Sequence, residues 1–415
     1  MKRFIATIFL FTLINASSSS FCQGNLKVTS PVDMQITETN RLYIIGSSAG
    51  AKRLYINGIS ADLENGGKFY AVAILKPGKN LIRVVAEYPD GAKLARKIRV
   101  LRVVNFDDVK KFYDSSEHWA KTEIVSLSTL GIIEGYPDNN FKPMDSVTRG
   151  EFATWTVRAK GLKVPAPRKD VYFDVPKEHW RAPYIKALVN EGYMQGSSKE
   201  EFNINSRIKR NEATAVVVKA FGIKPSKISL KSPFSDVTLS TDDANSIYAA
   251  YYNGLVIGVS KQSKLFEPER DMKRAEAALL ISRIKAIKQM RTRLYDFGDG
   301  YDASKYCRIG TKPVIKYAKA TPLTVIADGR STLKLSVNVV DSQGRSDISQ
   351  VWANLSAING PNNAAMAESS AGIYELEMSL TSDLIPGRKE IIIKAMDKTG
   401  LETSAKINIT VKRPK

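Results

Sequence analysis

The spacing of apolar and polar positions changes twice along the chain. From about residue 25 to 104, and again from 321 to 415, short runs alternate apolar and polar positions with a period of two, which predicts β-strands. Between these regions, from 106 to 287, apolar residues recur three or four positions apart, which predicts amphipathic helices. The pattern therefore predicts a multidomain chain with a mainly α-helical middle and an all-β unit on either side.

The first β region, 25–104, consists of short strands separated by turn residues. Pro77-Gly78 and Pro89-Asp90-Gly91 preset or permit turn dihedrals between apolar runs. About six strands in about 80 residues predict a small β-sandwich. The order of Ile56-Asn57-Gly58, a strand led by Phe69 and these two turns resembles bacterial immunoglobulin-like modules. The simplest interpretation of such a module is a spacer.

The last region, 321–415, is predicted to be a second immunoglobulin-like sandwich. Alternation is clear over 334–339 and 406–411, and the sequences Asp-Ser-Gln-Gly at 341–344 and Asp-Lys-Thr-Gly at 397–400 supply turns. The stretch before it, 291–320, has no helical periodicity and is interpreted as a turn-rich linker. Its acidic run at 296–302 lacks the ligand series of a calcium-binding EF-hand loop.

One sequence pattern occurs three times between residues 106 and 287. Each copy contains a Phe-Asp-Val cue, which reads Phe-Asp-Asp-Val in the first copy and Phe-Ser-Asp-Val in the third. Each also contains two glycines four residues apart, a phenylalanine-led turn and an Arg-x-Glu motif. The arginines of the last motif, Arg149, Arg210 and Arg274, lie 61 and 64 residues apart, and the second glycines lie 61 and 62 residues apart. Because several motifs recur at nearly the same interval, the region contains three copies of one unit, over 105–164, 165–226 and 227–290.

Each copy is predicted to hold two helices. A glycine that suits a left-handed C-terminal cap follows the first helix of each copy, at Gly131, Gly192 and Gly254. The second helix begins at Arg-x-Glu, and Thr148 with Glu151 forms a capping box in the first copy. The N-terminus of such a helix offers free N–H groups and the positive end of the helix dipole to an anion. An arginine at this position can bind a carboxylate through two hydrogen bonds.

These landmarks resemble the S-layer homology domain, whose hallmark is a Thr-Arg-Ala-Glu-like tetrad at the start of the second helix. The resemblance covers about 180 residues of this chain. It implies that three modules close into a pseudo-threefold bundle, and that grooves between modules hold cell-wall glycans, commonly pyruvylated ones. It also implies a set of ligand-binding residues, namely Thr148, Arg149, Glu151, Lys209, Arg210, Glu212, Lys273, Arg274 and Glu276, with Trp119 and Trp180 as stacking platforms for sugar rings. The chain departs from the family pattern where Lys209 and Lys273 replace threonine, and the third copy has no matching tryptophan.

The first 24 residues predict a secretory signal peptide. Met1-Lys2-Arg3 precedes an apolar run at 4–14 and a serine-rich stretch. Acylation at Cys22 is the alternative, which Phe21 disfavours. No other apolar run approaches the roughly 20 residues of a membrane-spanning helix, so no transmembrane segment is predicted after cleavage.

The charge narrows the choice of partner. A formal net charge of +20 and a pI near 9.6 favour acidic partners. For an exported chain these are anionic wall polymers rather than nucleic acid. The two histidines, His118 and His179, stand at matching places in two copies and are therefore interpreted as structural.

The sequence therefore predicts a secreted, non-catalytic anchor at the cell wall, the cell surface or the periplasm-facing envelope. Its partner is a cell-wall glycan or a peptidoglycan-associated anionic polymer, and the two sandwiches present the anchor to other surface proteins. No catalytic residue, metal site or cofactor is predicted. Two alternatives stay open: an enzyme acting on wall polysaccharide through paired carboxylates, and an adhesin that binds through its sandwiches with the repeat as a stalk.

Overall fold

The computed structural model describes residues 25–111, 116–224, 232–259, 264–298, 300–301 and 307–414. The predicted signal peptide at 1–24, with Cys22, lies outside the described residues. The described chain forms several domains, with β-sheets at both ends and helices in the middle. In the described ranges, every helix is too short or too polar to cross a lipid bilayer.

The first β unit consists of two sheets that share one core. Its strands are β1 (Asn25–Ser30), β2 (Gln35–Thr37), β3 (Arg41–Ala49), β4 (Arg53–Ile56), β5 (Ile59–Ala61), β6 (Lys68–Ile74), β7 (Gly78–Glu87), β8 (Lys93–Arg102) and β9 (Arg308–Gly310). The sheets run in the orders β1-β3-β6-β9 and β2-β8-β7-β4-β5. Alternate residues of both sheets, such as Ile44, Phe69, Ile82 and Val84, point inward and are fully or almost fully buried.

Strand β9 reaches this unit only after the helical region, because the helices are inserted between β8 and β9. It pairs antiparallel with β6, and Val72 lies opposite Gly310. The expected linker at 291–320 is therefore wrong. A helix runs to Leu294, β9 completes a sheet and the next strand begins at Val314. A pairing with a strand more than 200 residues earlier leaves no trace in the local pattern of residues 308–310.

Eight helices lie in the described part of the middle region. They are α1 (Asp107–Lys110), α2 (Lys121–Thr129), α3 (Arg149–Lys160), α4 (Ala182–Asn190), α5 (Arg210–Phe221), α6 (Ala244–Tyr252), α7 (Arg274–Ser282) and α8 (Lys285–Leu294). The apolar positions that predicted the helices are buried in one core shared by all three copies, among them Ile124, Leu127, Phe152, Trp155, Ile185, Leu188, Val217, Ile247 and Ile281. Gly131, Gly192 and Gly254 each have φ of 72°, which confirms the predicted left-handed caps.

The three copies pack in a cycle. The second helix of each copy lies against the first helix of the next, so that α3 packs on α4, α5 on α6 and α7 on α2. At the centre, three backbone N–H groups donate around a closed ring. Val147 donates to Met272 at 2.9 Å, Met272 to Ile208 at 2.9 Å and Ile208 to Val147 at 3.1 Å. The third copy therefore closes on the first.

The second β unit also has two sheets around one core. Its strands are β10 (Val314–Thr321), β11 (Thr324–Ile326), β12 (Thr332–Val340), β13 (Ile348–Asn354), β14 (Ala364–Ala365), β15 (Ala367–Ser370), β16 (Ile373–Ser379), β17 (Gly387–Asp397) and β18 (Glu402–Lys412). The sheets run in the orders β10-β12-β16-β15 and β11-β18-β17-β13-β14. The predicted alternation over 334–339 is seen as buried Leu335, Val337 and Val339.

The first β unit is packed against the helical bundle. Leu101 and Val103, in and just after β8, share a small core with Val125 of α2 and Leu294 of α8. The Val104 N–H donates to the Thr129 hydroxyl at 2.9 Å. Because the chain enters and leaves the bundle at this unit, the bundle is tied to it at both ends.

Candidate functional site

An aspartate in each copy holds the phenylalanine-led loop of the same copy. Its carboxylate accepts two backbone N–H groups at 2.7–2.9 Å, in the sets Asp108 with Phe141 and Lys142, Asp174 with Phe202 and Ile204, and Asp236 with Phe266 and Glu267. We call this arrangement the carboxylate clasp. In each loop the residue after the phenylalanine is in the left-handed region, with φ of 56° at Lys142, 58° at Asn203 and 55° at Glu267. The clasp thus supports a conformation that non-glycine residues adopt at a cost of about 1–2 kcal/mol.

The aromatic partner of the clasp in the second copy is not the one that the sequence pattern suggests. Phe106 and Phe234 stand two residues before their aspartates and pack on the loop phenylalanines. In the second copy Tyr172 has this place and packs on Phe202 with 5.6 Å between ring centroids. Phe173, which completes the Phe-Asp-Val cue, is 86% exposed. The aromatic residue that packs on the loop phenylalanine is therefore the one two positions before the aspartate.

The three tetrad arginines cross from their own module to the next. Each donates its Nε–H to the carbonyl of a loop phenylalanine, Arg149 to Phe202 at 2.8 Å, Arg210 to Phe266 at 2.9 Å and Arg274 to Phe141 at 2.7 Å. Each also pairs with the tetrad glutamate of that module: Arg149 with Glu212, Arg210 with Glu276 at 3.4 Å, and Arg274 with Glu151 at 2.8 Å. The guanidinium groups lie over the same phenylalanine rings, 4.6–4.9 Å from the centroids. Arginine and glutamate thus form a closed cycle of three intermodule pairs.

These contacts bury the helix starts that the sequence suggested would face outward. The side chains of Arg149, Arg210 and Arg274 are only 8%, 7% and 1% exposed. The N–H groups of Arg149 and Gly150 donate to the carbonyls of Ser206 and Ile204 in the next module, and the other two helix starts do the same. The expectation of an open anion site at each helix start is therefore wrong. The donors that a helix leaves unpaired are satisfied here by the neighbouring module, which a single copy does not reveal.

The glutamates brace both the helix start and the neighbouring arginine. The Glu151 N–H donates to the Thr148 hydroxyl at 3.2 Å and the Thr148 N–H to the Glu151 carboxylate at 2.9 Å, which confirms the predicted capping box. Burial alone would raise the pKa of Glu151, but Arg274, the Thr148 N–H and the Tyr136 hydroxyl hold that pKa below its ordinary value. Burial would likewise raise the pKa of Glu276, but Arg270, Arg210 and the Lys273 N–H lower that pKa below its ordinary value.

The lysines that replace threonine in the tetrad also bridge modules. Lys209 donates to Asp271 at 2.8 Å, and Lys273 donates to the Met144 carbonyl at 2.9 Å. Thr148 forms an isolated antiparallel bridge with Arg207 of the second copy. All nine tetrad residues that were expected to bind ligand therefore lie at the joints between modules.

The tryptophans Trp119 and Trp180 are exposed at the surface of the bundle. Trp119 is 57% and Trp180 is 52% exposed, and both stand just before a helix rather than within it. Each follows a histidine whose Nδ1 accepts a backbone N–H at 3.1 Å, His118 from Ala120 and His179 from Arg181. The histidines thus support the helix starts and leave the tryptophan rings at the surface.

Three grooves run between the helices of adjacent modules: the α3/α4 groove, the α5/α6 groove and the α7/α2 groove. A basic residue nine positions after the tetrad arginine lies at each, namely Arg158, Lys219 and Arg283. These three residues were not among those predicted from the sequence, although their equal offset from the tetrad arginine was a signal that could have found them.

The α3/α4 and α5/α6 grooves have their basic residue next to an acid. In the α3/α4 groove Arg158 pairs with Glu134, and Arg181 lies 3.5 Å from the same carboxylate and 4.1 Å above the Trp180 ring. In the α5/α6 groove, with a volume of about 250 Å³, Lys219 lies 3.8 Å from Asp243.

The α7/α2 groove has a volume of about 350 Å³ and is larger than the α5/α6 groove. Trp119 stands on one side, the 255–259 loop on the other, and Arg210, Glu276 and Arg283 line it. Arg283 donates to the Leu255 carbonyl at 3.1 Å, and burial lowers the pKa of its guanidinium. Within the described ranges no carboxylate forms an ion pair with Arg283. In the described part of the chain Glu123 acts on Arg283 only from beyond ion-pair distance, because its carboxylate pairs with Arg291. This groove therefore combines an exposed indole ring with a cation that is not in an ion pair.

Comparison with known proteins matches the repeated region to one family. The model of the S-layer homology domain matches residues 111–153, 172–214 and 233–278. The chain is 31% identical over 168 residues to the surface-layer 125 kDa protein of Lysinibacillus sphaericus, covering 40% of this chain and 14% of that protein. It is 30% identical over 156 residues to a cellulosome-anchoring protein of Acetivibrio thermocellus, covering 36% and 31%. It is also 30% identical over 180 residues to an amylopullulanase of Thermoanaerobacterium thermosulfurigenes, covering 42% and 10%. The chain thus spans less than a third of the length of each of these relatives.

Proposed function

The middle of this chain is a set of three S-layer homology modules, and from that premise we propose that the chain is a secreted, non-catalytic cell-wall anchor. S-layer homology domains are cell-wall anchoring modules, and proteins that carry them are found at the cell surface. The ligand in this proposal is an anionic wall glycan, for example a pyruvylated one, or a peptidoglycan-linked polymer, held without a covalent bond. The modules form a pseudo-threefold bundle, and the two β units are immunoglobulin-like sandwiches.

The observation that carries the proposal is the α7/α2 groove. A sugar ring presents an apolar face that packs on an exposed indole, and Trp119 offers such a face at 57% exposure. An acidic substituent on the sugar needs a cation whose charge is not already paired, and Arg283 fits that need in the described part of the chain. The other two grooves place their basic residue beside Glu134 or Asp243, so a ligand there competes with a protein carboxylate.

The tetrad residues have a different role in this proposal from the one that the family resemblance implies. Arg210 and Glu276 form part of the groove lining and contact the ligand there. Arg149 and Arg274 act through the bundle, because their guanidinium groups are committed to Glu212 and Glu151 of the next module. The arginines are thus mainly positioning residues that hold the groove walls at a fixed distance.

The two β units present the anchor to other surface components in this proposal. The first unit packs on the bundle through Leu101 and Val103, so a partner bound to it is held close to the wall. The second unit is reached through β9 and lies farther along the chain.

The test compares two double variants of the full chain in sedimentation with purified wall sacculi that carry their polymer. Trp119→Ala with Arg283→Ala removes the indole and the unpaired cation. We expect this variant to bind at least about tenfold more weakly, since one aromatic contact and one charge-assisted bond together contribute more than about 1.4 kcal/mol.

The matched control is Phe173→Ala with Lys285→Ala, which removes an aromatic ring that is 86% exposed and one exposed positive charge, neither of which lines the groove. Control binding should equal that of the wild type. Unchanged binding by the Trp119→Ala, Arg283→Ala chain would refute the α7/α2 groove as the site. An equal loss of binding in both double variants would mean that the chain binds the wall through nonspecific charge and hydrophobic contacts.

A further inference from the structure

Three aspartates meet at one end of the second β unit. Asp341 directly follows β12, Asp397 is the last residue of β17, and Asp347 lies in a short 3-10 turn at 345–347 between them. One carboxylate oxygen from each lies within 4.8 Å of the others. Their spacing of six and 50 residues matches no metal-binding motif, and in the sequence Asp341 and Asp397 stand only as the first residues of two Asp-x-x-Gly turns.

Two oxygens of this cluster are buried without a hydrogen bond. Asp347 and Asp397 are only 3% and 1% exposed. The Asp397 carboxylate accepts the Leu401 N–H at 2.7 Å and the Thr399 hydroxyl at 2.6 Å. Oδ2 of Asp347 and Oδ2 of Asp341, by contrast, have no donor in the described part of the chain. Burying a carboxylate oxygen with no donor is unfavourable unless a cation satisfies it.

The charge at the cluster is also unbalanced. Arg308 pairs with Asp347 and is the single cation in an ion pair with any of the three carboxylates among the described residues. Its side chain is 52% exposed, so it neutralises the cluster incompletely. Burial, together with the charges of Asp347 and Asp397, raises the pKa of Asp341 to about 6. Three carboxylates and one guanidinium leave two negative charges, which is the charge that one divalent cation compensates.

The donor atoms and their spacing favour calcium over the other common divalent ions. The cluster offers carboxylate oxygens and neither sulfur nor imidazole, which suits hard cations. Oxygens that lie up to 4.8 Å apart fit around calcium, whose bonds of about 2.3–2.6 Å span about 5 Å across the ion. Magnesium, with bonds of about 2.0–2.1 Å, spans only about 4 Å.

We propose that Asp341, Asp347 and Asp397 bind one calcium ion at the joint between the two β units. The segment that follows β9 lies against these same loops. The Thr311 N–H donates to the Gln343 side chain at 3.2 Å, and the Thr311 and Ser342 hydroxyls contact each other. A Cβ added at Gly310 would clash with the Thr399 side chain, so strand β9 and the 397–401 loop are in contact. The ion therefore holds the 341–347 and 397–401 loops in the shape that receives β9, and it stiffens the connection between the two units.

The first test is calorimetric titration of calcium chloride into the full chain after chelation and dialysis. We expect one site per chain with a dissociation constant of about 10⁻⁴–10⁻³ M, the range of extracellular calcium modules, and at least about tenfold weaker binding of magnesium chloride. Hydrogen–deuterium exchange with and without calcium should show protection of peptides that cover 341–347 and 397–401. No heat, or protection confined to other segments, overturns the proposal without any need for a variant.

The second test uses Asp347→Asn, with Asp383→Asn as the matched control in an exposed position of the same unit. Asp347→Asn should weaken calcium binding at least about tenfold, and Asp383→Asn should leave it unchanged. Wild-type affinity in the Asp347→Asn chain overturns the site. If that variant does not fold, the exchange pattern of the wild-type chain decides the question.

Discussion

At the scale of single residues, the bundle depends on an arginine fork that binds a carbonyl and a carboxylate at once. Arg274 donates to the Phe141 and Glu134 carbonyls and to the Glu151 carboxylate at 2.7–2.8 Å, while its side chain is 1% exposed. A lysine has no planar fork and cannot make these three bonds in the same geometry. The tetrad arginine is therefore explained by the closure of the module ring.

Replacement of Arg274 tests that explanation. Arg274→Met keeps much of the packing but leaves the buried Glu151 carboxylate without its ion pair, so the free energy of unfolding of the bundle should fall by about 3–5 kcal/mol. Arg293→Met, at an exposed position of α8, is the matched control and should change stability by less than about 0.5 kcal/mol. Urea denaturation followed by tryptophan fluorescence measures both. Equal stability of the two variants would contradict a structural role for the arginine.

The acid dependence of stability follows from Glu151. Because its folded pKa lies below the ordinary value of 4.5, the ionised carboxylate stabilises the fold above pH 4.5, and this contribution is lost as the pH falls through the folded pKa. The difference in unfolding free energy between wild type and Glu151→Gln should therefore be constant from pH 7 to about 5 and shrink below pH 4.5. A difference that grows on acidification would show that the sign is wrong.

Contacts were predictable from the sequence where both side chains lie in the same copy of the repeat. They were not predictable where the two side chains lie in different copies. The Thr148 and Glu151 capping box needs residues three apart, so it was predicted correctly. The partners of the Arg149 guanidinium, Phe202 and Glu212, lie 53 and 63 residues away along the chain. No local sequence pattern identifies such distant partners. The arginine was therefore predicted to face outward although it is buried.

At the scale of elements, the carboxylate clasp explains why the Phe-Asp-Val cue and the phenylalanine-led loop occur together. The cue supplies the acceptor and the loop supplies two N–H donors, so neither segment is stable in this conformation without the other. The helices themselves were predictable, because their period and their glycine caps are local properties. Trp119 stands before α2, which begins at Lys121, so its ring lies outside the helix.

Removal of one clasp should loosen one module. In Asp236→Asn the amide offers one acceptor where the carboxylate offered two, and its NH₂ group faces the donors of Phe266 or Glu267. We expect a loss of about 1–3 kcal/mol in unfolding free energy, measured by urea denaturation. Asp242→Asn, at an exposed position of the same copy, should be neutral. A clasp variant as stable as this control would mean that the loop holds its shape without the aspartate.

At the scale of the whole molecule, the bundle is an insertion in the first β unit. The chain leaves that unit after β8, closes three modules into a ring and returns to pair β9 with β6. Composition and periodicity predicted the order of β, helical and β regions, since each depends on nearby residues. They predicted a linker at 291–320 because three residues of edge strand carry too little pattern to identify their partner.

The grooves also belong to this scale, because each is formed by helices of two modules. The α7/α2 groove joins the last module to the first, so it exists only when the ring is closed. Its exposed tryptophan and unpaired arginine come from residues 119 and 283, which are 164 positions apart. A single copy of the repeat therefore does not contain the site that we propose.

The most direct test of the proposed anchoring function is co-sedimentation of the full chain with wall sacculi before and after chemical removal of their attached anionic polymer. We predict saturable binding to polymer-bearing sacculi, loss of that binding from stripped sacculi, and progressive weakening with added salt as the paired charges are screened. Equal binding to stripped sacculi, or release of soluble sugar from the wall during the assay, would contradict a non-catalytic anchor that recognises an anionic glycan.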